Sequence, residues 1–474
     1  MRTSPLSRRQ LITGASALSA YAALRGVSGC TGAIDPGPAP GLPGNRPFRD
    51  LPEGTDTIPQ IAHVVIVMME NHSFDNYLGM LDPSVGFALD AMGRPTASCP
   101  DGMGHHIRAF PMPSGCQLES EPSQAWTASH TAYASGANDG FVSASGPVSM
   151  GYWTERDLPF YYGLARTFAL SSRWFGSTLA QTYPNRRFLM AGTAYGITTT
   201  DAHALAAPAP PNGTIFDKLD AHGITWKDYA SDLPGIAILP ALARRRSNIG
   251  TIAQFMADAA AGTLPSVALV DPPFSADGSE ENPQDVRLGE QFVSRVVNAV
   301  MSGPGWPHTL LIWLYDEHGG YYDHVPPPDA IPPDDQPALA SDGTELGAYD
   351  RYGFRVPAVI VSPYAKRAHV SDTVRDHTSV LRFLERKWNL GALTYRDASA
   401  DDLMDSLDLD APPFMTPPTL PMPALADPMA PTCTPGMPGT IPPPDAVIMG
   451  AASRVRASMP ARWRPVADAL RALG

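Results

Sequence analysis

The sequence predicts an α/β protein, a three-layer α/β/α sandwich around a mainly parallel central sheet, and three observations lead there. Two uninterrupted apolar runs, Val64-Val65-Ile66-Val67-Met68-Met69 and Leu310-Leu311-Ile312-Trp313-Leu314-Tyr315, read as strands buried on both faces. Segments with helical periodicity alternate with such runs between the two and beyond them, the pattern of strands joined by crossover helices. Each run stops at adjacent oxygen donors, Glu70-Asn71 and Asp316-Glu317. Open α/β sheets collect their ligands at the carboxyl ends of their strands. If the two strands run parallel, three carboxylates and an amide converge at one edge.

Taken in order, residues 1–30 are a targeting segment outside the fold. Ser7-Arg8-Arg9-Gln10-Leu11-Ile12 resembles a twin-arginine export signal, and the apolar small-residue run behind it is too short to span a bilayer. The partner implied is the twin-arginine translocase. Val27-Ser28-Gly29-Cys30 resembles a bacterial lipobox, which would lipidate Cys30 and associate the chain with a membrane. Arg25 is an unusual neighbour for a lipobox, so ordinary signal peptidase cleavage nearby is the alternative. The expected location is periplasmic, cell-surface lipoprotein or secreted. Residues 31–59 are a Gly/Pro-rich tether.

Residues 60–410 are the expected catalytic domain. After the first strand, Ser73 suits the N-cap of a helix through Phe74, Tyr77 and Leu78. Residues 84–125 are irregular. With Cys30 set aside, Cys99 and Cys116 are the natural disulfide pair of an exported chain, and Cys433 is left over. Helical pattern covers 158–164, with a short strand at 167–170. Pro184 fits the first turn of a helix through Phe188, so Thr182 lies just before a helix N-terminus. Further on, 215–221 reads as helix, 225–227 begins a strand, and the 267–270 strand is stopped by Asp271-Pro272-Pro273. A helix over 288–301 feeds the second long strand; a strand over 354–361 and a helix over 378–388 follow. Residues 411–447 are a Pro-rich strap or linker, and 448–474 a basic amphipathic helix, read as docked on the domain rather than on a membrane surface.

The charge balance, 34 Lys+Arg against 47 Asp+Glu, argues against nucleic acid as a partner, because a phosphate backbone needs a basic footprint. No Cys/His spacing resembles a structural zinc site. Glu70, Asn71, Asp316 and Glu317 are hard oxygen donors suited to a divalent cation, Ca, Mg or Mn, with Zn also accepted by carboxylates. Thr182 is a candidate nucleophile: metal coordination lowers a hydroxyl pKa, and the helix behind it favours an incoming anion. Asn185 is placed to donate to a phosphoryl oxygen. His130, His324 and His377 are candidates for oxyanion contacts, proton transfer or further ligation. Each has a plainer reading, as strand-ending turn, capped helix start, loop hydroxyl or structural histidine.

Glu70-Asn71-His72-Ser73-Phe74-Asp75-Asn76-Tyr77-Leu78-Gly79, Met150-Gly151-Tyr152-Trp153, Thr182-x-Pro184-Asn185-Arg186, Tyr315-Asp316-Glu317-His318-Gly319-Gly320, Tyr322-Asp323-His324-Val325-Pro326-Pro327-Pro328 and Asp376-His377-Thr378-Ser379 occur in this order. Together they resemble the bacterial phospholipase C and acid phosphatase group of phosphoesterases, related to alkaline phosphatase. The resemblance implies an alkaline-phosphatase-like sandwich, metal ligation by Glu70, Asn71, Asp316 and Glu317 with Thr182, and phosphate contacts from Asn185 and His130. It makes the substrate a phosphate ester, in the first instance a phospholipid. Many members carry His before the Pro where this chain has Glu281-Asn282-Pro283, so Asn282 stands in place of a titrating group. Larger phospholipase C members have C-terminal β-domains, where this chain has the Pro-rich strap and a helix. The expected function is therefore an exported, metal-dependent phosphoric ester hydrolase cleaving a phosphodiester through a threonine. The alternatives are an acid-phosphatase-type phosphomonoesterase on the same site and a catalytically inactive, lipid-anchored protein that binds phosphorylated ligands. No Cys or Ser occupies the Cys/Ser-x-Pro-x-Arg pattern of a sulfatase.

Overall fold

The computed structural model describes residues 41–116, 122–274, 278–426, 433 and 444–449. These belong to one of the chain's two compact units, Pro40–Gly474. The targeting segment with Cys30, and the helix expected past residue 449, lie outside the described residues. Among the described residues no helix is long and apolar enough to cross a membrane.

The strands that matter here are β1 (His63–Met69), β2 (Ser98–Pro100), β3 (His105–Arg108), β4 (Ala169–Ser171), β5 (Trp226–Ala230), β6 (Ile249–Thr251), β7 (Val267–Asp271), β8 (Thr309–Tyr315), β9 (Ala358–Val361), β10 (Val370–Ser371) and β11 (Val447–Met449). Eight of them form one sheet in the order β10-β4-β9-β8-β1-β7-β5-β6. β6, β5, β7, β1 and β8 are mutually parallel, and β9 is antiparallel to both of its neighbours. Every residue of β8 is buried, so both faces of the sheet are covered. The helices that matter here are α1 (Phe74–Leu78), α2 (Trp126–Tyr133), α3 (Pro159–Thr167), α4 (Thr182–Ala191), α5 (Ala202–Ala206), α6 (Ile252–Ala261), α7 (Val286–Ser302) and α8 (Thr378–Trp388). The fold is thus the α/β architecture the sequence predicts, with its apolar core centred on β1, β7 and β8.

Ser73 caps α1 as expected, accepting a hydrogen bond from the Asn76 N–H at 3.2 Å. Two expectations are corrected. The disulfide joins Cys116 to Cys433, and Cys99 is a free, buried thiol. Cys99 sits on β2 opposite Ile107 of β3 and packs in an apolar cluster with Phe110 and Phe141. Burial pushes its thiol up to about 12, which makes it an inert core residue rather than a cross-linking one. Cys433 belongs to the Pro-rich strap, so proximity in sequence misled the pairing. The second correction is at 448–449, where a helix was expected to start: with Val447, the last residue of the expected strap, these residues form β11, antiparallel to β3.

The described part of the strap lies on the body. Phe414 is buried against Phe168, and the indole N–H of Trp306 donates to its carbonyl at 2.8 Å. Gly163 on α3 makes room for Pro421, whose Cδ would lie 2.4 Å from a Cβ there. Glu290 on α7 accepts from the Phe160 and Tyr161 N–H groups in the first turn of α3 and from Ala424 N–H of the strap.

Candidate functional site

β1 and β8 are direct neighbours in register, Met69 opposite Tyr315, so Glu70 and Asp316 leave the sheet at the same level. The chain turns sharply at once on both. Asn71 takes a left-handed conformation, φ 65°, which Asn tolerates better than most residues. Its N–H donates to Asp316 Oδ1 at 3.1 Å. The turn after β8 needs Gly319: its φ is +64°, and a Cβ would fall 1.8 Å from the Asn71 carbonyl oxygen. The two strand ends are thereby locked together.

Arg186, from the second turn of α4, reaches into this junction and is 3 % exposed. Its guanidinium donates to Glu70 Oε1 at 2.8 Å, to Asp316 Oδ2 at 3.2 Å and to the Met68 and Met69 carbonyls, with Asp271 Oδ1 3.7 Å away. Burial alone would lower the arginine; Glu70, Asp316 and Asp271 more than reverse that. Asp271 ends β7 as Glu70 and Asp316 continue β1 and β8. It pairs with buried Asp228 of β5, and burial raises both carboxyls, Asp228 further through the charge of Asp271.

One guanidinium does not neutralise this cluster. Burial first, then repulsion from Asp316, pushes the Glu70 and Glu317 carboxyls well above the usual range. Glu317 Oε2 accepts from Gly319 N–H at 2.8 Å, while Glu317 Oε1 and Asn71 Oδ1 are buried with no hydrogen-bond partner. Unpartnered hard oxygens beside surplus negative charge are the donor set a divalent cation fits. Thr182 is the first residue of α4, one position further into the helix than the sequence pattern suggests. It lines one cavity of about 340 Å³ with Glu70, Arg186 and Glu281, closed on other sides by Leu205, Leu233, Ile238 and Phe274. A wider hollow of about 670 Å³ opens where the chain enters β5 and β7, at the opposite ends of the strands, and holds none of these groups.

The remaining candidates lie elsewhere. Asn185 is fully buried: its amide N–H group donates to the Thr178, Ala180 and Gln181 carbonyls, and its Oδ1 accepts from Thr178 N–H, so it shapes the loop that leads to Thr182. His377 stands behind Asp316, its Nε2 2.7 Å from the Asp316 backbone oxygen. His130 bonds the Trp126 carbonyl within its own helix and stacks on the Trp126 ring. Asn282 Oδ1 accepts from the Tyr321 hydroxyl at 2.9 Å. His324 forms a separate cluster with Asp75 and Asp323, whose ligand atoms lie within 4.8 Å of one another. There Arg355 already bonds Asp75 and Asp323, and the His324 ring bonds Asp75 at 2.7 Å. Cys30 lies outside the described residues.

Sequence reasoning missed Asp271 and Glu281. Asp271 carries the same signature as Glu70 and Asp316, an acid stopping an apolar strand; Glu281 sits in a loop with no pattern to mark it.

Residues 61–391 match the Phosphoesterase family. Phospholipase C A of Mycobacterium tuberculosis (strain ATCC 25618 / H37Rv) is 30% identical over 439 residues, which cover 80% of this chain and 83% of that protein. Non-specific phospholipase C6 of Arabidopsis thaliana is 31% identical over 397 residues, covering 76% and 75%. A protein in the alkaline phosphatase superfamily from Vibrio parahaemolyticus aligns with a TM-score of 0.34 at 12% identity, over 70% of this chain and 78% of that one. With a family match across most of its length and relatives of this similarity, the chain belongs to the phosphoesterase family and is an enzyme that hydrolyses phosphoesters.

Proposed function

We propose that this chain is an exported, metal-dependent phosphodiesterase of the phospholipase C type, with Thr182 as its nucleophile. The observation that carries the reading is the shared cavity: Thr182 opens a ten-residue helix and faces the same space as Glu70, beside an apolar wall. An apolar wall next to the reacting group favours a substrate with a second ester substituent. The names of the relatives, phospholipases C, agree with that class.

Thr182 Oγ attacks phosphorus, the ester oxygen leaves as an alcohol, and water then cleaves the phosphothreonine to return the hydroxyl. The dipole of α4 favours negative charge beside Thr182, although Pro184 has no N–H and the Tyr183 N–H donates to Thr200 Oγ1. Arg186 orders Glu70 and Asp316 through its Nε and Nη2 hydrogen bonds, with Nη1 3.7 Å from Asp271 Oδ1. Glu70, Asn71, Asp316, Glu317 and Thr182 would hold a divalent cation, which when bound neutralises phosphoryl charge and lowers the threonine pKa. Export rests on the twin-arginine-like opening and on the Cys116–Cys433 bond, which suits an oxidising compartment. Periplasmic, lipid-anchored at Cys30 and secreted forms share that route.

The test takes the mature protein and its Thr182→Ala variant, with Mn, Mg, Ca or Zn added in turn. Substrates are p-nitrophenyl phosphate, p-nitrophenylphosphorylcholine and phosphatidylcholine. Cation-dependent cleavage of the diester and lipid, lost in the variant, is the expected result. Cleavage of the monoester alone would replace it with the phosphatase reading. A folded protein inert with every cation would leave the phosphate-ligand-binding reading.

A further inference from the structure

The acids at the strand ends face Arg186; Glu281 comes from elsewhere in the chain. It belongs to the loop between β7 and α7, and that loop is pinned on both sides of it. Glu280, at φ +75°, turns its carboxyl group into the core, where the hydroxyls of Tyr77, Tyr161 and Tyr315 donate to it. Asn282 is held by the Tyr321 hydroxyl, and Gln284 Oε1 accepts from the N–H groups of Gly278, Ser279 and Glu280. The Ser279 carbonyl in turn accepts from Glu70 N–H at 3.2 Å, so the loop is fixed to the first strand end. Between two inward-held neighbours, Glu281 is half-buried and lines the cavity with Thr182 and Glu70. Its negative charge acts on Glu70, Glu317 and Tyr183 alike. The rest of the lining combines Arg186, Tyr183 and Thr200 with an apolar wall of Leu205, Leu233, Ile238 and Phe274.

We propose that Glu281 selects the substrate by charge: a carboxylate fixed on the cavity wall disfavours a phosphomonoester dianion and admits a monoanionic phosphodiester whose second, uncharged substituent lies along the apolar wall. The proposal rests on the reading of this cavity as the phosphoryl-transfer site. A monoester carries close to two negative charges above its second pKa of about 6, a diester one. The additional charge meets Glu281 in a partly desolvated space, where like charges several ångströms apart change binding by roughly tenfold or more.

The experiment compares wild type, Glu281→Gln and Glu281→Asp on p-nitrophenyl phosphate and bis-p-nitrophenyl phosphate at pH 8, so that the leaving group is the same for both esters. In Glu281→Gln the monoester-to-diester ratio of kcat/KM rises about tenfold, and inorganic phosphate inhibits about tenfold more tightly. Glu281→Asp keeps the wild-type ratio within about threefold. An unchanged ratio in Glu281→Gln overturns the proposal. So does a parallel loss of both activities with loss of bound metal, which would make Glu281 a ligand. Wild type inert toward both esters, or activity that survives Thr182→Ala, overturns the functional reading beneath it, and either is visible before a Glu281 variant is made.

Discussion

Replacing Arg186 with Met tests the charge balance of the strand-end cluster directly. Methionine keeps most of the length and apolar stem, while the guanidinium that contacts Glu70, Asp316 and Asp271 disappears. Removing one partner of a buried ion pair costs about 3–5 kcal/mol, because the charge left behind is uncompensated. Three acids share this partner, so the upper part of that range applies at neutral pH. The cost is itself pH-dependent. Burial and Asp316 already raise the Glu70 carboxyl in the wild type, and loss of Arg186 raises it further. A carboxyl with a raised folded pKa contributes most stability below its unfolded value, about 4.3, and loses it as pH rises through the folded one. The deficit of Arg186→Met is therefore smallest near pH 4, where about 1 kcal/mol of lost hydrogen bonding to the Met68 and Met69 carbonyls remains, and it widens toward pH 8. Urea midpoints of wild type and variant, measured in EDTA in steps from pH 4 to 8, read that gap. A deficit under about 1 kcal/mol at pH 8, or one that narrows as pH rises, would refute the assignment of Arg186 as the counter-charge of the cluster.

Two further outcomes follow from buried groups away from the cavity. Burial raises Glu280 to about 8 despite three tyrosine donors, so the folded protein holds a proton that the unfolded chain releases above about pH 4.3. Thermal stability should fall between pH 5 and 9 in the wild type and fall less in Glu280→Gln; equal slopes by circular dichroism would count against it. Cys433→Ser should cost about 2–5 kcal/mol by freeing the strap, whereas Cys99→Ala leaves the cross-link intact. Peptide mapping of the non-reduced protein that recovered a Cys99–Cys116 peptide would reverse that assignment.

The fold was legible where a residue's environment is set by its own segment. β1 and β8 are buried on both faces, and so read as unbroken apolar runs whose stops point to the sheet edge. Ser73 caps a helix that begins at the next residue. What was not legible depends on distant partners. Nothing in residues 354–361 announces that β9 runs against its neighbours. The three tyrosines on Glu280 come from three separate segments, and Arg186 finds its acids at the ends of three strands. Histidine identity was a poor guide to position: His130, His324 and His377 each bond a nearby backbone or carboxylate outside the cavity of Thr182. Asp271 was within reach of the strand-end rule that found Glu70 and Asp316, and was passed over as a mere terminator.

The Cys116–Cys433 bond spans 317 positions and closes a covalent ring through Thr182, Arg186, Asp316 and Glu317, while Glu70 and Asn71 enter from outside it. A protease that nicks an exposed loop anywhere within that ring cannot release either piece. The cut enzyme keeps its mass on a non-reducing gel and separates into fragments only after reduction. The ring makes loop cleavage a local injury instead of a separation of the two halves of the chain.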